Sequence, residues 1–172
     1  LNGVVVQVLN RVMVALTGLL LLSTVSGCDS SSGTMDSGLP DDAKVVYRFN
    51  DSSVPPQYHR SFELTVTTKE ARLVVDSYGE ILADEKTVEV DQAWQVITRT
   101  YSTLDALPVV KSELGCVGGT SRSLEITQGE TSLKDISIEE CGGVNDAAVS
   151  TMAGWVDPVL KLFPAIAVLA PS

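Results

Sequence analysis

The chain has 172 residues, of which 12 are basic and 22 acidic, for a net charge of −10. That acidity argues against nucleic acid as a partner, which needs basic patches to neutralise phosphates, and against flat adhesion to anionic lipid, which needs Lys/Arg clusters. Apart from Cys28, which the residues before it assign to an anchor, one histidine and two cysteines fall short of the four ligands of a structural zinc site, so neither metal nor cofactor is expected.

In chain order, the first feature is apolar. Arg11 is the single charge before Cys28, and Val12 to Leu22 form an apolar core followed by the small residues Ser23, Thr24, Ser26 and Gly27. A positive flank, a short apolar core and a small-residue region are the parts of a secretory signal. The core is shorter than the roughly 20 residues that a transmembrane helix needs. Leu1, where a methionine is expected, points to an unusual start codon or a misassigned start.

The tetrad Val25-Ser26-Gly27-Cys28 resembles the lipobox of bacterial lipoproteins. The resemblance implies that Cys28 takes a diacylglyceryl group, that residues 1–27 are removed as a signal peptide, and that the new amino end is acylated, with palmitate as the expected label. Each buried methylene adds about 0.8 kcal/mol, so two or three chains anchor stably where one holds only marginally. The expected location is the cell membrane, lipid-anchored, with the domain on the extracytoplasmic side. Asp29 is similar to the residue that retains lipoproteins at the inner membrane of enteric-type cells. The mature chain carries 11 basic and 22 acidic residues, a net charge of −11.

Residues 28–43 are rich in Ser, Gly and Asp and poor in apolar side chains, a composition that cannot offset chain entropy. They read as a flexible tether, and residues 44–172 as a single domain, a comfortable length for one core. Val45, Tyr47 and Phe49 alternate with Val46 and Arg48 as a strand. Pro55 and Pro56 then break the pattern. With Tyr58, His59 and Arg60 they make a stiff amphipathic loop, read either as a rigid connector with Tyr58 packed on the sheet or as a protein-contact loop.

Phe62, Leu64 and Val66 mark a half-buried strand, followed by a turn at Lys69-Glu70, a strand over Arg72–Asp76, a turn at Ser77-Tyr78-Gly79 and a strand over Glu80–Ala83. Such short connections require antiparallel pairing. Asp76, Glu80, Asp84 and Glu85 lie close in sequence but fit no EF-hand spacing, and they read as solvated turn residues. Asp91 is placed to cap a helix carrying Trp94, Ile97, Tyr101 and Leu104 on one face, running to about Ala106 and ending before Pro108.

Gly118 and Gly119 precede an alternating segment, Ser121 to Thr127, so they read as room for a bend rather than a phosphate loop. A hairpin turn at Gln128-Gly129 that pairs Thr127 with Glu130 sets Leu124 opposite Leu133, with a bulge between Leu133 and Ile136. In an exported chain the even pair Cys116 and Cys141 reads as a disulfide. Asn145 is placed to cap a helix with Val149, Met152, Ala153, Val156, Leu160 and Phe163 in one stripe. Asp157-Pro158 is expected to start a second short helix, and the apolar tail, Ala165 to Ala170, to pack as a strand or turn or else to remain a sticky surface.

The expected fold is therefore α+β: an antiparallel sheet, built from a meander and a C-terminal hairpin, with two helices packed on one face and one disulfide. Its hairpin, helix, hairpin, helix order, over about Phe62 to Leu162, resembles the layout of emfourin-type bacterial protease inhibitors, and no inhibitory residue carries over. Acylation of Cys28 and oxidation of Cys116 and Cys141 remove thiol nucleophiles, and His59 has no Gly-x-Ser-x-Gly elbow to serve. The expectation is a non-enzymatic envelope lipoprotein that contacts another envelope or secreted protein or serves envelope assembly. The alternatives are a secreted-protease inhibitor and a hydrolase using an acidic pair.

Overall fold

The computed structural model describes residues 38–111 and 118–172. Cys28, the signal segment, most of the predicted tether and Cys116 lie outside them.

Six strands form one antiparallel sheet: β1 (Ala43–Asn50), β2 (Ser61–Val66), β3 (Ala71–Ser77), β4 (Glu80–Thr87), β5 (Thr120–Gln128) and β6 (Thr131–Glu140), in the spatial order β4-β3-β2-β1-β5-β6. The first strand in sequence is thus interior, with β2 on one side and β5 on the other. Register follows the period-two pattern: Tyr47 pairs with Leu64 and Leu124, and Leu64 with Leu73. All four are buried, because strand pairs place directly opposed residues on one face. This face, with Val45, Val66, Val75, Ile126 and Ile138, joins the buried helix residues in a single hydrophobic cluster. The opposite face is wet and charged, with Arg48 bridging Glu63 at 2.8 Å and Glu125 at 3.7 Å.

Two helices supply the cover, α1 (Asp91–Arg99) and α2 (Asp146–Leu160), and a short α3 (Ile166–Leu169) follows. Among the described residues no helix is long and apolar enough to cross a membrane. Leu39 and Ala43, assigned by composition to the tether, are buried in the core.

Several local expectations are corrected. Val90, not Asp91, stands at the head of α1 and accepts the Trp94 amide, while Asp91 is the first helical residue and acts through the helix dipole. The helix stops at Arg99 instead of Ala106. Thr100 turns its hydroxyl back onto the Val96 carbonyl at 2.8 Å, a bond that competes with regular helix, and Tyr101–Leu104 continue as a tighter 3-10 turn.

Asn145 precedes α2 but makes no side-chain cap. Its buried amide instead accepts the Val110 N–H at 2.8 Å and donates to the carbonyls of Val110 at 3.0 Å and Glu139 at 2.9 Å. The helix runs unbroken through Pro158, where a second helix was expected. Pro158 lies in the last turn, so only one intrahelical bond is lost, and Lys161 still donates to the Asp157 carbonyl. The buried stripe is rotated towards Ala148, Met152, Trp155, Val156 and Val159, leaving Val149, Ala153 and Leu160 half-buried. The Trp155 indole donates to the Ile97 carbonyl at 3.0 Å and locks α2 to α1.

The hairpin register also differs. The turn is Gly129-Glu130, with Gln128 opposite Thr131 and Thr127 opposite Ser132. Gly129 adopts the positive φ that the turn demands. The bulge falls between Ile126 and Thr127, so Leu124 faces Ile136 rather than Leu133. The C-terminal tail forms neither a strand nor a loose surface: α3 places Ile166 and Leu169 against the core and buries Ala170, while Val168 stays exposed.

Candidate functional site

The predicted contact loop is held by its own first residue. Asp51 accepts the Ser52 amide on Oδ1 at 2.8 Å and the Arg60 amide on Oδ2 at 2.9 Å, closing the loop across nine positions. Pro55 and Pro56 fix the next turn, where their carbonyls accept the amides of Tyr58 and His59. Ser77 donates to the Pro56 carbonyl at 2.8 Å, and the Tyr78 hydroxyl donates to the Val54 carbonyl at 2.6 Å. The β1–β2 loop is therefore fastened to the β3–β4 turn.

That turn has two central residues, Tyr78 and Gly79, both at positive φ (52° and 89°), as hairpins of matching twist require. The conformation is natural for Gly79 and strained for Tyr78, at a cost of the order of 1 kcal/mol or more. Compensation comes from His59. Its ring stacks on that of Tyr78 at 3.9 Å with 22° between planes, and its Nδ1 accepts the Tyr78 amide at 3.4 Å.

Because Nδ1 accepts, the neutral imidazole carries its proton on Nε2, which donates to Ser61 Oγ at 3.3 Å. Ser61 Oγ also receives the Asp51 amide at 3.0 Å. A general base would have to accept the serine proton, and here the imidazole donates instead. The pair braces the loop.

The five predicted loop residues divide by exposure. Pro55, Pro56 and Tyr58 face solvent, Tyr58 with 59% of its surface exposed; His59 is buried; Arg60 is half-buried. The guanidinium of Arg60 donates to the carbonyls of His59, Ala170 and Pro171, each at 2.7 Å, and so ties the tail to the loop. A groove of about 500 Å³ opens between Tyr58, Arg60, Ile166, Ala170 and Pro171. Tyr78, 56% exposed, extends the aromatic surface. Its sequence context, Ser77-Tyr78-Gly79, marks only a turn, although a bulky side chain beside Gly79 in a two-residue turn is a signal of local strain.

A second aromatic corner lies across the same end of the sheet. The Arg122 guanidinium donates to the Tyr47 hydroxyl and to Glu140 Oε1, both at 2.6 Å, and covers the Phe49 ring at 4.7 Å. Phe62 completes it, 5.5 Å from Phe49 and 5.9 Å from Tyr47. Burial pushes the Tyr47 phenol above its ordinary range, opposed by Arg122. Burial also acts against the charge of Arg122, but Tyr47 and Glu140 outweigh it and raise its affinity for the proton. No single stretch of sequence signals this cluster, because Tyr47 and Arg122 stand 75 positions apart.

Of the clustered acids, Asp84 binds Arg72 through both oxygens at 2.7 and 2.6 Å, and that hydrogen-bonded pairing holds its carboxyl below the usual range. Asp76 accepts the Gly79 amide at 2.8 Å within the turn. Cys141 directly follows β6.

The chain matches no known protein-family model and no curated protein in sequence.

Proposed function

We propose that this protein is a membrane-anchored, non-enzymatic envelope lipoprotein that presents its α+β domain for contact with another envelope or secreted protein. The anchor reading rests on the lipobox-like Val25-Ser26-Gly27-Cys28 behind an export signal. The contact reading is carried by one observation: the exposed Tyr58 and two exposed prolines stand on a loop fastened at both ends, beside the exposed Tyr78 of the turn to which it is tied. Rigid aromatic surface loses little entropy on binding, which is why such residues dominate interface energetics.

The proposal includes a Cys116–Cys141 disulfide. Thr120 pairs with Glu140 in the hairpin; in sequence Cys141 directly follows the second of these strands and Cys116 precedes the first by four positions.

Two measurements test the function. Metabolic labelling with palmitate should mark the wild type and not Cys28→Ala; label on both variants overturns the anchor. Capture of partners from detergent-solubilised envelope should be lost in Tyr58→Ala/Tyr78→Ala. Undiminished capture by that variant overturns the contact surface.

A further inference from the structure

Among the described residues the edge strand β4 has hydrogen-bonding neighbours on one side only, and six of its eight residues are exposed. Its outer backbone groups are a ready template for a further strand. What could lie there is narrowed by charge. Lys86 is the strand's single cation and is engaged by Glu70 at 2.7 Å. Glu80 and Glu85 on the strand, and Glu89 and Asp91 just beyond it, make no side-chain ion pair or hydrogen bond among the described residues.

The bulge between Val75 and Asp76 sets Ala83 opposite Val75 and leaves Ala83–Thr87 as the regular, pairable part of the edge. Where that part ends, a groove of about 510 Å³ is lined by Val88, Glu89, Asp91, Gln92 and Leu162. Val88 is 69% exposed and Leu162 36%. Apolar walls beside two unpaired carboxylates suit a long cationic side chain, which lays its methylenes on Val88 and Leu162 and its charge against Glu89 and Asp91.

We infer that β4 is the docking edge for an extended basic segment of a partner protein, which adds a seventh strand along Ala83–Thr87 and places a lysine or arginine in the Val88–Leu162 groove. A second copy of this chain is disfavoured there. Antiparallel pairing of two copies over Ala83–Thr87 centres on Glu85 and sets that acid against itself, between chains that each carry a net charge of −10, and like charges facing across strands destabilise the pair. A basic strand converts the contact at Glu85 into an opposite-charge cross-strand pair. The inference rests on reading the domain as a protein-contact module but not on the lipid anchor or the tyrosine loop.

The test uses the full chain in mild detergent and two synthetic peptides of about ten residues, the upper end of common strand lengths. One alternates lysine with valine and the other glutamate with valine. Fluorescence polarisation should show the basic peptide binding at least about 10-fold tighter, with the affinity falling as salt rises. Hydrogen exchange should show new protection within Glu80–Thr87.

Glu85→Lys and Glu130→Lys change net charge equally, but Glu130 sits in the β5–β6 turn. The first should weaken binding by about 10-fold, the size of one close charge contact, and the second should leave it unchanged. Equal loss in both variants, equal binding of the two peptides, or protection elsewhere overturns the proposal. So does concentration-dependent protection of β4 without peptide, which assigns the edge to a second copy. Palmitate labelling and capture through Tyr58 are read separately, so failure here leaves the anchor and the loop standing.

Discussion

Two aromatic corners occupy the same end of the sheet and use opposite means. At the meander corner, His59 and Tyr78 stack, Asp51 and Arg60 are met by backbone amides and carbonyls rather than by an ion pair, and both exposed tyrosines there keep more than half their surface in water. At the hairpin corner, Tyr47 is fully buried and a charged pair, Arg122 and Glu140, fills the space around it. The difference separates presentation from support. A charged group in a half-buried site must be matched by partners, so the hairpin corner is committed to itself. The meander corner satisfies its polar atoms internally and leaves apolar surface over.

Substitution separates the two corners, and the largest effect belongs to the hairpin side. If Cys116 and Cys141 are bridged, the closed loop holds 26 residues, and Cys116→Ser/Cys141→Ser should cost about 3 to 4 kcal/mol on the chain-entropy account. Urea unfolding with and without reductant measures it; identical midpoints for wild type in both conditions would remove the bridge. Next comes Arg122→Ala, which strands the Tyr47 hydroxyl and Glu140 together and should cost about 2 to 3 kcal/mol. A loss below about 0.5 kcal/mol would show that this corner carries no structural weight.

His59→Ala should cost less, about 1 to 2 kcal/mol, for the stack and two long hydrogen bonds. It should also raise amide exchange at Tyr78 specifically, so an unchanged Tyr78 amide would refute the bracing role. Gly79→Ala, at φ 89°, should cost about 1 kcal/mol. Tyr58→Ala should lie within about 0.5 kcal/mol of wild type while partner capture falls. A large stability loss there would make Tyr58 a packing residue instead.

Acid–base behaviour gives a further contrast. The native state of Tyr47 holds its proton to higher pH than the unfolded chain does, because burial disfavours the phenolate. Its contribution is therefore intact below the ordinary tyrosine value of about 10 and declines as pH rises through it. Stability curves of wild type and Tyr47→Phe should converge above that pH, and parallel curves would contradict the burial argument.

Legibility in the sequence followed the range of the interaction. Phe62, Leu64 and Val66 alternate with polar residues, so β2 and its facing are readable where they stand. The meander was also legible, because its turns are short and local. The β5–β6 register was not: Thr127-Gln128-Gly129-Glu130 admits a two-residue turn at either of two positions, and only the bulge at Ile126 reconciles the turn with the paired strands. Trp155 escaped notice because the stripes through Val149 and Ala148 are both helical in period, and contact with Ile97 selects between them. In the candidate site, the loop from Pro55 to Arg60 announces itself by composition. The burial of His59 depends on Tyr78, 19 positions away, and sequence spacing carries no sign of that meeting.

The place of β1 has a consequence for the order in which the sheet can be completed. β1 pairs with β2 across a short loop, but its other neighbour arrives late: Asn50 lies opposite Ser121. As the chain emerges, β1 to β4 can assemble from local contacts alone, with both outer strands unpaired. β1 then waits, with half of its backbone groups unmet, until β5 arrives some 70 residues behind Asn50. A chain shortened before β5 would keep that edge, rich in Val45, Val46 and Tyr47, available to any passing strand. The strand that comes first among those described thus gains its second neighbour long after its first.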